Sequence, residues 1–287
     1  MEVDLDHLKT WEGREERVQD ELHATPLALM SATLDRDDPA VKVGAAIPPY
    51  WHYLYFLTAS RQSILGADGH PPRGGFLPPV PLPRRMFAGA RVDFMRPLRV
   101  GEKVERRSTI VSVSRKQGRS GDMVFLLLRH AFSDADGVCM VEEQDIVYRD
   151  NPPPEAGHSA AAPTPPAPPQ PATWSRVITP DPVLLYRYSA LTFNGHRIHY
   201  DHPYATQVEG YPGLVVHGPL QATLLLDLLR REQPAVDPAH FAFRAISPLY
   251  CVGAFRVCGA PAVEGGFNLW IEDQQGRTTM QAQVKGR

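Results

Sequence analysis

The sequence predicts an α+β chain made of two halves, and three features carry that expectation. Between 151 and 173 the composition shifts to proline, at Pro152, Pro153, Pro154, Pro163, Pro165, Pro166, Pro168, Pro169 and Pro171, padded with alanine and serine. Such a run cannot donate main-chain hydrogen bonds to a sheet or helix, so it reads as an extended, semi-rigid, partly disordered tether. On each side of it an apolar helical segment precedes several strand-like runs separated by turn residues. The 287 residues, 43% of them apolar, suffice for two units, each with a core of its own. The expected division is therefore 1–150, the tether 151–173, and 174–287.

In the first half, 25–35 is expected to be a helix: Thr25 caps it, Pro26 takes the first helical position, and Leu27, Leu29, Met30 and Leu34 are apolar. Strand-like runs follow at 86–94, 104–114, 123–132 and 138–148. Turn chemistry separates them at Gln117-Gly118, Ser120-Gly121 and Asp136-Gly137, the last a strong hairpin signal. In the second half, 219–231 is the most apolar segment. Leu220, Leu224, Leu225, Leu226, Leu228 and Leu229 leave it apolar on nearly all sides, so protein should wrap this helix. Strand-like runs at 241–246, 250–257, 267–272 and 278–284 follow, with breaks at Gly259, Gly265-Gly266 and Gly276. A helix and then an antiparallel sheet, seen twice, suggests a repeated unit.

Composition excludes several function classes. The net charge of -2 gives no global field for nucleic acid or an anionic membrane. No apolar run approaches the ~20 residues of a membrane span. The acidic stretch 1–20 lacks an apolar centre and fits neither a secretory nor a mitochondrial leader, so a cytoplasmic location is expected. Cys139, Cys251 and Cys258 have no CxxC spacing and read as small core residues in a reducing compartment.

The segment 191–205 is where chemistry concentrates. It brings Asn194, His196, His199, His202 and Asp201 together with Tyr200 and Tyr204. A plain structural loop gains little from three imidazoles. Histidines three apart raise a metal site, but Gly195 and Pro203 weaken a continuous helix and no Glu stands in HExxH spacing. Neither a metal nor a redox cofactor is expected. Further on, His217-Gly218-Pro219 opens the apolar helix, whose first turn offers free N–H groups and the positive end of the helix dipole.

These residues resemble the motif of the MaoC-like, type-2 enoyl-thioester hydratases, in outline Ser-Gly-Asp-x-Asn-Pro-x-His-x-Asp with an aromatic upstream. With the family's histidine on His199, the positions Thr192, Phe193, Asn194, His196, Arg197, Ile198 and Asp201 correspond, and Tyr188 supplies the aromatic. The likeness extends to the segments 51–57, 66–71, 74–89 and 142–149 of the first half, and within the family to the subgroup with mesaconyl-C4-CoA hydratases and mitochondrial type-2 hydroxyacyl-thioester dehydratases. It implies a double hot dog: two units, each an antiparallel sheet wrapped around a central helix. The second unit would be catalytic, and the first would shape the acyl and CoA site without a catalytic pair of its own.

The implied reaction is reversible hydration of a 2-enoyl thioester to the 3-hydroxyacyl form. One departure matters: the family's usual carboxylate is Asn194 here, and an amide cannot accept and release a proton near neutral pH. His199 then becomes the proton-transfer residue and Asn194 the group that orients the water. Gly218 is the implied oxyanion donor, and Tyr188, Thr192, His196, Arg197, His217, Arg84 and Arg85 are implied substrate contacts. A branched C5 dicarboxylyl-CoA of the mesaconyl-C4 type is the first expectation, its free carboxylate meeting Arg84, Arg85, Arg91 or Arg197. A medium-chain 3-hydroxyacyl group, which would need an apolar tunnel, is the alternative. A hot-dog thioesterase and a non-catalytic acyl-CoA-binding protein are the competing classes. The partner is an acyl-CoA, with acyl-ACP as another carrier and a homodimer admitted.

Overall fold

The computed structural model describes residues 3–118, 121–150 and 170–287. Helix α1 (Leu5–Lys9) and strand β1 (Glu15–Glu21) come first; neither was expected. β1 reads Glu-Glu-Arg-Val-Gln-Asp-Glu and carries no apolar alternation because it is an edge strand, where charge discourages pairing with another chain. Helix α2 (Ala24–Thr33) starts one residue before the expected cap: His23 is the N-cap residue, and Pro26 lies inside the first turn, where no donor is needed.

Strands β2 (Arg84–Phe94), β3 (Lys103–Gly118), β4 (Gly121–Asp134) and β5 (Gly137–Arg149) are longer than their apolar runs. In β4 the inward positions Val124, Leu126, Leu128, His130 and Phe132 alternate with outward ones, as a half-buried strand requires. The hairpin expected at Asp136-Gly137 forms: Asp134 pairs with Gly137, which holds φ 108°, a value open to glycine. Most of the expected tether lies outside the described residues.

The second half begins with β6 (Trp174–Ile178) and helix α3 (Pro182–Leu191), which starts on an Asp181 cap with Pro182 in its first turn. Neither element was expected. Helix α4 (Gly218–Glu232) is the long apolar one, and Leu220, Leu224, Leu225, Leu228 and Leu229 are all buried. After it come β7 (Pro238–Ala245), β8 (Phe255–Pro261), β9 (Phe267–Glu272) and β10 (Thr278–Gly286). The run expected at 250–257 is displaced: Tyr250 makes only an isolated bridge to Val215, and β8 starts at Phe255. Gly259 is no break. It lies within β8 because a Cβ there would press on Leu269, Trp174 and Leu228.

All ten strands join one antiparallel sheet in the order β1-β3-β4-β5-β2-β7-β10-β9-β8-β6. Read from either end, the order of each half is the same, and β2 meets β7 at the centre. This twofold pattern is the double hot dog, with α4 packed on β6, β8, β9 and β10. In the first half the segment between α2 and β2 carries only two short 3₁₀ turns, and space opens there. The halves are also tied electrostatically: buried Asp227 of α4 accepts from Arg36 at 2.8 Å, Arg176 at 3.0 Å and Arg231 at 2.7 Å.

Candidate active site

The end of α3 sets the site. Thr192 Oγ1 and its main-chain N–H both bond the Tyr188 carbonyl, closing the helix, and Phe193 follows at φ 48°. Asn194 then makes a tight turn in which its Oδ1 accepts from the His196 N–H at 3.0 Å. Asn194 is among the residues that line a cavity of about 1030 Å³ bounded by both halves.

A 3₁₀ turn (Arg197–His199) places the His199 ring. Its Nδ1 lies 2.7 Å from the Val215 carbonyl, and a carbonyl only accepts, so Nδ1 carries the proton and Nε2 keeps its lone pair. The ring stacks on His217 at 3.7 Å and meets His196 edge-on at 5.4 Å. His217 Nε2 in turn lies 2.8 Å from Ser189 Oγ. His199 is 7% exposed and is not itself a lining residue; it reaches the cavity wall through His217, which bonds Ser189 and lies 5.0 Å from the Tyr188 ring.

Burial dominates the electrostatics. It lowers the His199 pKa to about 4, against the Val215 hydrogen bond, and lowers His196 to about 2 and His217 further below its ordinary value. These rings are neutral at pH 7. As pH falls below ~6.5 the unfolded chain binds protons before the folded one does, so folded stability is complete above that value and is lost from about 6.5 down to about 4. His199 alone should account for ~3 kcal/mol by pH 4. Thermal melts across that range are expected to show a falling midpoint, which His199→Gln should flatten; an unchanged slope would remove the buried neutral ring.

The other expected contacts sort clearly. Tyr188, Thr192, Arg85 and Arg197 line the cavity. Arg197 is held there by Asp201 at 2.7 Å, and its guanidinium lies over the Tyr204 ring. Asp201 therefore pairs with Arg197 and not with His199. His217, 1% exposed, supports the His199 ring from behind and is not a wall residue. Alternation along β2 sends Arg84 away from Arg85: it donates to the Glu209 carbonyl and stacks on Tyr211. Arg91 is taken by Glu143 and Asp145. His202 is exposed, and Thr206 Oγ1 donates to its carbonyl. Gly218 starts α4 beside the wall residue Pro219; a Cβ on it would make only ordinary contact with Phe87, so space does not require glycine there.

Two groups of wall residues from the first half were not expected. Glu142, 1% exposed, is bonded by His52 Nε2 at 3.0 Å and Tyr53 Oη at 2.9 Å, and Gln144 reaches the same Tyr53 oxygen. Burial acts to raise the Glu142 pKa, but the charge and hydrogen bond of His52 hold it below the ordinary carboxylate value. Arg106, with a buried Nε that has no partner, stands nearby and also lines the cavity. The second is the wall residue His70 with its partner Asp68, which does not line the cavity; their side chains bond at 2.9 Å. Asp68, His70 and His196 each bring a ligand-type atom within 4.8 Å of the others, the only such grouping among the described residues. The family-like segments 51–57, 66–71 and 142–149 were the signal for both groups.

A double hot dog with an amide and an imidazole five residues apart, beside the start of a buried helix, defines a thioester hydratase-dehydratase class. Comparison with known proteins agrees: residues 50–251 match the model of the hydroxyacyl-thioester dehydratase type 2 family, and the chain belongs to that family. It is 45% identical to the mesaconyl-C(4)-CoA hydratase of Chloroflexus aurantiacus over 280 residues, covering 96% of each chain. It is 27% identical to the mitochondrial hydroxyacyl-thioester dehydratase type 2 of Schizosaccharomyces pombe, over 89% of this chain and 92% of that one. In structure it is similar to a MaoC-like dehydratase from Phytophthora capsici, with a TM-score of 0.68, 14% identity and 99% of each chain covered. Membership makes the chain a hydro-lyase of hydroxyacyl thioesters. No described helix is long and apolar enough to cross a membrane.

Proposed function

We propose that the protein hydrates a short, carboxylate-bearing 2-enoyl-CoA of the mesaconyl-C4 type, reversibly, in the cytoplasm. The observation that carries this reading is the set of polar groups in the first-half cavity wall: His52, Tyr53, Arg106, His130, Glu142 and Gln144 stand among Phe56, Leu57 and Phe132, where a tunnel for a medium alkyl chain would be apolar throughout. Arg106 is the charge best placed for the acyl carboxylate, with Arg85 and Arg197 available to the carboxylate or to CoA phosphates. The first half thus shapes the acyl and CoA site, and the second carries the motif.

In this reading Asn194 holds the water through its NH₂, and His199 Nε2, reached through the ring's residual exposure, takes a proton from it. The Gly218 N–H, at the positive end of α4, meets the thioester oxygen as the enolate charge develops. Tyr188 and Thr192 border the reacting carbons, and His196 and His217 fix the His199 ring. CoA is taken as the carrier in preference to ACP, and the assembly as a homodimer, which sedimentation at several concentrations would check.

A panel of enoyl-CoAs with and without a distal carboxylate tests the substrate. The carboxylated member is expected to have a kcat/KM at least ~10²-fold higher, since its absence leaves buried polar groups unmatched. Preference for a medium alkyl chain would reverse the assignment. Asn194→Asp should keep measurable turnover, because an aspartate can hold the same water; a folded but wholly inactive variant would remove the water-orienting role.

A further inference from the structure

Asn194 leaves the centre one proton-handling group short, and the other half of the chain brings to the same cavity an imidazole, His70, that is bonded to a carboxylate, Asp68. Asp68 and His70 lie in a turn docked on the motif. The Arg197 N–H donates to the Asp68 carbonyl at 2.9 Å, and Arg197 Nη1 donates to the Ala67 carbonyl at 3.0 Å. Gly69, at φ 87°, packs so closely on Gly195 that any Cβ there would collide with the Gly195 carbonyl. Both Asp68 oxygens are engaged by His70, one by its main-chain N–H at 3.0 Å and the other by its Nδ1 at 2.9 Å. The His70 ring is itself part of the cavity wall. It lies 4.1 Å from the His196 ring, which in turn meets His199.

Among the described members of this imidazole row, only His70 has a carboxylate partner. His199 Nδ1 faces a carbonyl and His217 Nε2 a hydroxyl. A buried imidazolium needs a counter-charge close by, so His70 is where the row can hold a second proton. Burial lowers the His70 pKa, while the hydrogen bond and charge of Asp68 act against that.

We propose that Asp68 and His70 complete the acid–base centre, with His70 Nε2 exchanging the C2 proton and Asp68 acting as its positioning residue. The inference rests on the hydratase reading. In hydration an O–H bond of water breaks and its proton goes to His199, while the oxygen bonds to C3 and the C2=C3 π pair moves onto the thioester oxygen. That proton passes from His199, across His196 or through cavity water, to Nε2 of the neutral His70, whose Nδ1–H is held by Asp68, and makes the imidazolium. As the enolate collapses, C2 takes the proton from His70 Nε2, the N–H bond pair stays on that nitrogen, both rings are neutral again, and the balance is one added water. In dehydration His70 takes the C2 proton.

The test is dehydration of a 3-hydroxyacyl-CoA carrying ¹H or ²H at C2, by the wild type and by His70→Gln, Asp68→Asn and His199→Ala. His70→Gln is expected to lower kcat by ~10²-fold or more, with KM within about threefold of wild type, and to enlarge the deuterium effect on kcat. Asp68→Asn should give a smaller loss with the same enlarged effect, and it serves as the readout if His70→Gln does not fold. His199→Ala should lose turnover without that enlargement. A kcat of His70→Gln within about threefold of wild type, or a loss confined to KM, would overturn the proposal. So would activity that a chelator removes and Zn²⁺ restores, since Asp68, His70 and His196 would then be holding a metal. An inert wild type would instead overturn the hydratase reading beneath it.

Discussion

Replacing His199 by Ala is expected to lower turnover by ~10²–10⁴-fold, the usual contribution of a positioned acid–base group. The expectation rests on a ring held by three restraints: the Val215 carbonyl on Nδ1, the stack on His217 and the edge contact with His196. Together they fix the tautomer and leave Nε2 as a lone pair at neutral pH. His199→Gln keeps a side chain of comparable length and should fall in the same range, because a glutamine amide does not cycle a proton. Kinetics on both variants, with far-ultraviolet circular dichroism to confirm folding, checks this. Turnover near wild type in either would remove His199 from the chemistry.

Asp227→Ala is expected to cost about 3–5 kcal/mol of stability, the usual penalty for breaking a buried ion pair from one side. Asp227 is 3% exposed and accepts from three guanidiniums, which cannot shed their charge when the carboxylate goes. Arg36 belongs to the first half, and Arg176 and Arg231 to the second, so the same change loosens the contact between halves. A thermal or denaturant melt measures the loss. Activity per folded molecule should change little, since Asp227 does not border the large cavity. A variant as stable as wild type would show that the cluster is solvated and weak.

How much of this could be read in the sequence depended on the kind of signal. The apolar helix α4, the long strands β2 to β5 and the Asp136-Gly137 hairpin carry local patterns, so they were legible. β1 and β6 are edge strands without apolar alternation, and α3 is short, so each depends on tertiary packing for its existence. Within the site, Asn194 and His199 were legible because they lie five residues apart in one short segment. Arg84 and Arg85 looked equivalent until strand alternation separated them. Asp227 passed unnoticed inside a run of leucines. Asp68, His70, Glu142 and Arg106 lie far from the motif in sequence, and it takes tertiary contacts, the pairing of β2 with β7 and the docking of the Asp68 turn on Arg197, to bring the first half to the cavity.

The central claim is that this cavity adds water to an enoyl thioester. Its most direct test is purified protein with mesaconyl-C4-CoA, following the absorbance of the unsaturated thioester while free thiol is titrated in parallel. The account predicts that unsaturation disappears and no thiol is released. Thiol release at the same rate would make the protein a thioesterase, and tight binding with neither change would make it a carrier of acyl-CoA; either result contradicts the account.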